Sequence, residues 1–193
     1  VMLYDGIRLN NATFRQGPNQ YYFTVDSRTV AGIEVSRGSA SVVYGSDALG
    51  GVIETIPLEP RFRSTSDFIR VTPRTMFRLT TADEERGGRF EIESQVGTRV
   101  AFLGGVGFRT VGLLEGSGVL HGIDGEEALV PRYDDDDRTQ LGTGFDEATF
   151  DGRFVFDFGD NGRVTAAVYG FRQYNAPRTD QCPSAFGHWT ECL

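Results

Sequence analysis

The sequence has no excess of basic charge. Its 193 residues include 19 lysines and arginines against 27 aspartates and glutamates, so the formal net charge is -8, and the isoelectric point is about 4.8. Nucleic-acid binding needs a basic face that neutralises phosphates. The composition therefore argues against a nucleic-acid partner and suits cationic ligands instead.

Long apolar runs are also absent. The longest, from Val100 to Phe108, contains three glycines and is about half of the ~18 to 20 residues that a membrane-spanning helix needs. No basic, apolar leader opens the chain, which begins inside a strand-and-turn pattern at Val1. We expect it to be part of a longer protein that could cross a membrane only as paired β-strands.

Enzyme signatures are missing as well. His121 and His188 lack an H-E-x-x-H partner, and the kinase-like triplet Asp157-Phe158-Gly159 has no accompanying Gly-rich loop or catalytic-loop motif. No nucleophile and base recur at a meaningful spacing. The sequence predicts no catalytic activity, no metal centre and no cofactor.

Glycine and aromatic residues are abundant, with 25 Gly, 15 Phe and 7 Tyr, and they favour twisted strands and tight turns. Two segments show a period of two residues. The polar residues of these segments are Arg89, Glu91, Glu93 and Gln95, then Thr149, Asp151, Arg153 and Asp157, and the apolar ones include Phe90, Ile92 and Val96, then Phe150, Phe154, Phe156 and Phe158. This alternation predicts strands with one wet face and one apolar face.

The predicted strands are joined by connections of alternating length. We place these strands near Arg74 to Thr80, Gly88 to Gly97, Val100 to Val111, Glu147 to Phe158, and Arg163 to Tyr174. Tight turns at 97–99 and 159–162 alternate with longer loops at 81–87 and 112–146. Outer-membrane barrels have such connections, but a soluble β-sandwich also alternates polar and apolar residues, so both readings stay open.

Two motifs near the start carry a family resemblance. The run Leu3-Tyr4-Asp5-Gly6-Ile7-Arg8-Leu9-Asn10-Asn11 precedes a glycine-rich run from Ile33 to Ile53 that contains Ile-Glu-Val-Ser-Arg-Gly. In this order they resemble the plug domain of TonB-dependent outer-membrane receptors. The resemblance divides the chain into the C-terminal part of a plug at 1–60, a connector at 61–73 and the beginning of a transmembrane barrel at 74–193.

The resemblance implies a mainly β fold, in which the partial plug is followed by about five antiparallel strands of a barrel of about 22 strands. It implies a receptor in the outer membrane of a Gram-negative bacterium. The receptor would import a scarce nutrient, such as an iron-siderophore, haem or cobalamin. Energy would come from the TonB complex of the inner membrane, through an N-terminal segment with no counterpart in this sequence. The alternative is a soluble β-sandwich binding module, with the acidic loop as its candidate Ca²⁺ site.

The resemblance also suggests roles for particular residues. Glu34 and Arg37 match the acidic and basic positions of the plug motif, and we expect docking of Arg37 to Glu91 or Glu93 on the barrel wall. Candidate ligand contacts lie in the plug loop rich in Asn, Gln and Tyr: Asn11, Arg15, Gln16, Tyr21 and Tyr22. The competing interpretation is that these residues pack against the barrel wall.

Cys182 and Cys192 follow the last predicted strand, where an outer loop should lie. We expect a disulfide between them rather than two free thiols, because two cysteines in an oxidising exterior can staple a loop and their spacing fits neither a C-x-x-C redox motif nor a tetrahedral zinc site. The acidic run Asp134 to Asp137 lacks the glycine and distal glutamate of an EF-hand loop. It is more typical of a solvated loop tip than of a Ca²⁺ site.

Overall fold

A computed structural model of the chain describes residues 1–11, 19–20, 22–63, 67–118, 134, 136 and 138–176, and strands predominate in it. The strands are β1 Met2–Tyr4, β2 Ile7–Arg8, β3 Asn10–Asn11, β4 Asn19–Gln20, β5 Val30–Arg37, β6 Gly51–Pro57, β7 Ile69–Leu79, β8 Arg86–Val96, β9 Val100–Val111, β10 Leu114–Glu115, β11 Thr139–Gln140, β12 Phe145–Asp157 and β13 Arg163–Tyr174. The helices are α1 Ser41–Tyr44 and 3-10 turns at Tyr22–Thr24, Ser27–Thr29 and Gly159–Asn161. No helix in these ranges is long and apolar enough to cross a membrane.

A four-stranded sheet near the start, here called the first sheet, has the order β2-β1-β6-β5. β1 pairs antiparallel with β2 and parallel with β6, and β5 pairs antiparallel with β6. The β1–β2 hairpin closes through Asp5 and Gly6, whose φ angles are 51° and 73°. Two positive φ angles suit a type I′ turn, for which Asp-Gly is a preferred pair.

One face of the first sheet is covered by the link between β5 and β6. Leu3, Ala48 and Val52 form a buried cluster against which Val1, Ala40 and Tyr44 pack. The sequence predicts an irregular turn-rich link from Ala40 to Leu49, but the structure places α1 inside it. The helix is a single turn, closed by the Tyr44 amide donating to the Ala40 carbonyl at 3.0 Å, and so short an element leaves little periodic signal.

A five-stranded antiparallel sheet, here called the second sheet, has the order β13-β12-β9-β8-β7. The five predicted strands are confirmed, but β7 begins at Ile69 rather than near Arg74. Pro73 lies inside β7, although the predicted connector extends to residue 73. Proline is tolerated there because β7 is an edge strand, where one side of the backbone needs no ladder partner.

The two faces of the second sheet differ in the way the alternation predicts. On β8, Arg89 and Glu91 are 2% and 1% exposed, whereas Phe90 between them is 45% exposed. On β12, Arg153 is 9% exposed and Phe154 beside it 43%. Charged groups are thus covered and phenylalanines are exposed, which is the reverse of a water-soluble sheet.

The chain divides into two compact units. The first comprises Val1–Arg74, Glu91–Gly105 and Phe150–Phe171, and the second comprises Thr75–Phe90, Val106–Thr149 and Arg172–Leu193. The first unit thus contains the whole first sheet together with parts of β7, β8, β9, β12 and β13. All contacts of the site described next lie within this unit.

Candidate functional site

A buried guanidinium joins three separate parts of the first unit. Arg153 Nη1 donates to Asp5 Oδ2 at 2.7 Å and to the Tyr169 hydroxyl at 3.0 Å, and Nη2 donates to Glu59 Oε1 at 3.1 Å. The Tyr169 hydroxyl donates to Asp5 Oδ2 at 2.7 Å. Arg153 therefore links the first sheet and the segment after it to the second sheet.

Local structure explains why these side chains meet. Asp5 opens the tight β1–β2 turn, and its amide donates to the Thr55 carbonyl of β6 at 3.1 Å, which fixes the turn to the sheet. Next to it, the Tyr4 ring meets the Tyr169 ring edge to face with centroids 4.9 Å apart. The Tyr4 hydroxyl shares a hydrogen bond with Thr29 Oγ1 at 3.0 Å. Ring packing and charge-assisted hydrogen bonds thus act side by side.

The segment 59–63 lies against the same sheet and is held mainly by side chains. Glu93 Oε1 accepts a hydrogen bond from the Arg61 amide at 2.7 Å. Gln95 accepts from the Arg63 amide and donates to the Arg63 carbonyl, both at 2.9 Å. Two residues of β8 on one face therefore satisfy backbone groups that a neighbouring strand would otherwise satisfy.

Further contacts hold the beginning of this segment. Glu59 Oε2 accepts from Arg163 Nη1 at 3.5 Å, in addition to the bond from Arg153. The Arg163 guanidinium also lies 5.5 Å from the centroid of the Phe62 ring, within the range of a cation–π contact. Strands β8, β12 and β13 thus all supply partners to four residues of the segment 59–63.

The docking residues predicted from the motif have other surroundings. Glu91 forms an ion pair with Arg74, Glu93 binds the Arg61 amide, and Arg37 is exposed at the end of β5. No ion pair between Arg37 and either glutamate forms in the part of the chain that the structure describes. The docking role of Arg37 stays a prediction, and the observed docking charges are those around Arg153.

Glu34 faces a second carboxylate. It lies opposite Glu54 in the β5–β6 pair, and Glu54 Oε2 accepts from the Tyr44 hydroxyl at 3.3 Å. The negative charge of Glu54 raises the pKa of Tyr44, because ionising the phenol would place another negative charge beside it. Like charges directly opposite in a sheet are unfavourable, and the neutral phenol offsets part of that cost by donating to Glu54.

The candidate ligand contacts are only partly placed. Asn11 pairs with Asn19 in the β3–β4 hairpin, and Tyr22 begins a 3-10 turn. Arg15, Gln16 and Tyr21 lie outside the described residues. Cys182, Cys192 and His188 lie outside them too.

Half of the acidic run is described. Asp136 accepts hydrogen bonds from the Thr139 hydroxyl at 2.7 Å and from the amides of Thr139 and Arg138 at 2.8 and 2.9 Å. These bonds, led by the one from the Thr139 hydroxyl, lower the pKa of Asp136 to about 2. Its carboxylate is engaged in its own turn, and Asp135 and Asp137 lie outside the described ranges.

Sequence reasoning assigned Arg153 to the wet face of its strand but did not find its partners. Asp5 is named there only as part of the motif from Leu3 to Asn11, and Tyr169 and Glu59 are not singled out. One available signal was an arginine flanked by Phe154 and Gly152 in a strand whose alternate residues are aromatic. Such a charge must be covered by something polar, but its carboxylate partners Glu59 and Asp5 are 94 and 148 residues away.

Buried charges attach the small first sheet to the polar face of the second sheet, whose other face carries exposed phenylalanines. Residues 1–52 match the TonB-dependent Receptor Plug Domain. This segment belongs to that family, and the recognition made from the sequence is confirmed: the chain carries the plug domain of a TonB-dependent receptor.

Proposed function

We propose that this protein is an outer-membrane importer that takes up a scarce small nutrient, such as an iron-siderophore, haem or cobalamin, with energy from the TonB complex. The observation that carries the proposal is the docking of the plug sheet, through Asp5 and Arg153, onto the polar face of a sheet with phenylalanines on its other face. A plug in contact with a wall is the arrangement that a gated importer needs.

The exposed phenylalanines support a lipid-facing role for the second sheet. Phe150 and Phe154 on β12 and Phe158 directly after it are 51%, 43% and 47% exposed. Exposed aromatic stripes of this kind are unfavourable in water, whereas the outward faces of transmembrane strands are apolar. In this proposal residues 1–60 belong to the plug, 61–73 connect it, and 74–193 begin a barrel of about 22 strands, which is wide enough to need a plug.

Three residue roles belong to the same proposal. Asn11, Arg15, Gln16, Tyr21 and Tyr22 contact the nutrient from the plug side. Cys182 and Cys192 form a disulfide in an outer loop, where an oxidising exterior favours it. Glu34 and Arg37 dock the plug to parts of the barrel.

Uptake assays test the proposal. A strain lacking the gene and the same strain complemented with it are compared for accumulation of radiolabelled ferric siderophores, haem and cobalamin. We expect accumulation of one of these probes only in the complemented strain, and its loss when a protonophore removes the energy that TonB transmits. Equal accumulation of every probe in both strains, or uptake that the protonophore leaves unchanged, would contradict the proposal.

A pair of variants tests the ligand contacts. Arg15→Gln is expected to weaken uptake of the accepted probe about tenfold at low concentration, because a hydrogen bond from a charged donor is lost. Arg8→Gln is the control, since Arg8 belongs to the same plug segment but binds Asp47. Equal uptake by the two variants would remove Arg15 from the ligand site.

A further inference from the structure

We propose that the plug is attached to the second sheet at two points of different strength: a fixed strap made of residues 59–63, and a weaker clasp made of Asp5, Arg153 and Tyr169. In the context of the proposed import, the clasp is the point that opens, and the strap holds the end of the plug in place while it does. The existence of the two attachments rests on the contacts within the first unit, and only their role rests on the proposed function.

The strap is held by many partners distributed along it. Its backbone donates at Arg61 and Arg63 and accepts at Arg63, with Glu93 and Gln95 as partners. Glu59 takes two further hydrogen bonds from Arg153 and Arg163. Gln95 is 4% exposed, so its bonds to the strap are shielded from competing water. Opening the strap would leave several of these polar groups without a partner at once.

The clasp depends on one oxygen of one carboxylate. Asp5 Oδ2 accepts from both Arg153 Nη1 and the Tyr169 hydroxyl at 2.7 Å. The Asp5 side chain is about a quarter exposed, so water can replace its partners when it leaves. Among the described residues, two ring contacts add to it: Tyr4 packs edge to face on Tyr169, and Phe23 packs edge to face on Phe171 of β13 at 5.8 Å. Local opening requires the loss of fewer interactions here than at the strap, so the clasp should open more often.

Arg153 takes part in both attachments without making them one. Nη1 donates to Asp5 in the clasp, and Nη2 donates to Glu59 in the strap. When Asp5 leaves, Nη1 keeps its hydrogen bond to Tyr169, and the guanidinium charge stays paired with Glu59. The strap also keeps Arg163, Glu93 and Gln95. Release of the clasp should therefore leave the strap intact.

Hydrogen exchange on the purified protein, in detergent and without nutrient or TonB, measures the two attachments separately. The peptides compared cover residues 2–8 for the clasp and 59–63 for the strap. Asp5→Asn weakens the clasp, and Gln95→Met removes the strap's buried partner. Asp160→Asn is the control, because Asp160 lies in the exposed β12–β13 turn of the same unit.

Asp5→Asn is expected to accelerate exchange in residues 2–8 about tenfold and to leave residues 59–63 unchanged. Gln95→Met is expected to accelerate exchange in residues 59–63. Exchange in residues 2–8 is expected to change less, because this substitution loosens only the end of the plug. Faster exchange at both peptides to the same degree in Asp5→Asn would overturn the inference, since the attachments would then open as one. No change at either peptide in both variants would overturn it too.

Milder variants keep the test decisive if a substitution prevents folding. Tyr169→Phe removes only the hydroxyl that donates to Asp5, and Glu93→Gln keeps an acceptor for the Arg61 amide without the charge. Each is expected to change only its own peptide. The measurement is independent of transport. A protein that imports nothing could still show two separate attachments. In a protein that does import a nutrient, equally faster exchange at both peptides would still refute the two separate attachments.

Discussion

At the scale of single residues, the use of arginine matters most. All 19 basic residues of this chain are arginines and none is lysine. A guanidinium can hold separate carboxylates with different nitrogens, as Arg153 does with Asp5 and Glu59. An ammonium group is a compact charge and cannot match that planar fork. The connection between plug and second sheet therefore depends on the shape of the side chain as well as on its charge.

Arg153→Lys should lower the free energy of unfolding by roughly 1 to 3 kcal/mol, because the lysine can keep only one of the two hydrogen bonds that Arg153 donates to Asp5 and Glu59. The measurement is a denaturant titration of the detergent-solubilised protein. Arg99→Lys is the control, since Arg99 lies exposed in the β8–β9 turn. Equal stability of the two variants would show that the charge alone suffices.

Two adjacent glycines of the plug motif should respond differently to alanine. At Gly51, where φ is +141°, an added Cβ would lie 2.5 Å from the Ser36 carbonyl oxygen, whereas at Gly50 nothing lies within 4 Å. Gly51→Ala should cost roughly 1 to 3 kcal/mol through backbone strain and overlap, and Gly50→Ala should be close to neutral. Thermal unfolding of both variants checks this. A neutral Gly51→Ala would mean that β5 and β6 separate easily.

At the scale of elements, the β10–β11 hairpin is organised by one carboxylate. Leu114–Glu115 pairs with Thr139–Gln140, and Asp136 closes the turn before β11 through Thr139 and Arg138. The Arg138 guanidinium continues across the hairpin to the Gly116 carbonyl at 3.2 Å. The sequence marks this loop only as acidic, but the two strands at its ends are paired with each other.

The hairpin should loosen in acid. The pKa of Asp136 is lowered to about 2 in the folded protein, against about 3.9 for an unperturbed aspartate. A lowered carboxyl pKa contributes stability that is present above pH ~4 and is lost as the pH falls towards ~2. Protection of the Thr139 amide should decrease over this range and should be weak at every pH in Asp136→Asn. The same pH dependence in both proteins would contradict the role of Asp136.

Elements with a strong period were predictable, and those set by distant contacts were not. The alternation in β8 and β12 marks their two faces because a strand repeats every two residues. The single turn of α1 and the early start of β7 were missed, since the first is too short for a pattern and the second contains Pro73. The clasp was missed because no local rule connects Asp5 to Tyr169, 164 residues later.

At the scale of the whole molecule, buried charged residues and exposed phenylalanines lie on opposite faces of the second sheet. On the buried side of the second sheet, Arg153 is partnered by Asp5 and Glu59, whereas Glu91 pairs with Arg74 of the same sheet. Composition, alternation and the two motifs were enough to predict the fold class and the family. The identity of the nutrient could not be predicted, because ligand specificity depends on a few side chains in loops whose positions no periodicity fixes.

Quenching of tryptophan fluorescence by brominated lipids tests the central claim, that the exposed phenylalanines face the bilayer. Phe154→Trp and Phe23→Trp are placed separately in a background in which Trp189 and any other tryptophan of the expressed protein are replaced by Phe, so that each protein has one tryptophan. Both native phenylalanines are exposed, at 43% and 55%, but Phe154 is on β12 and Phe23 is on the plug side. In reconstituted vesicles we expect strong quenching at 154 and little at 23. Equal quenching at the two positions, or none at 154, would contradict the account.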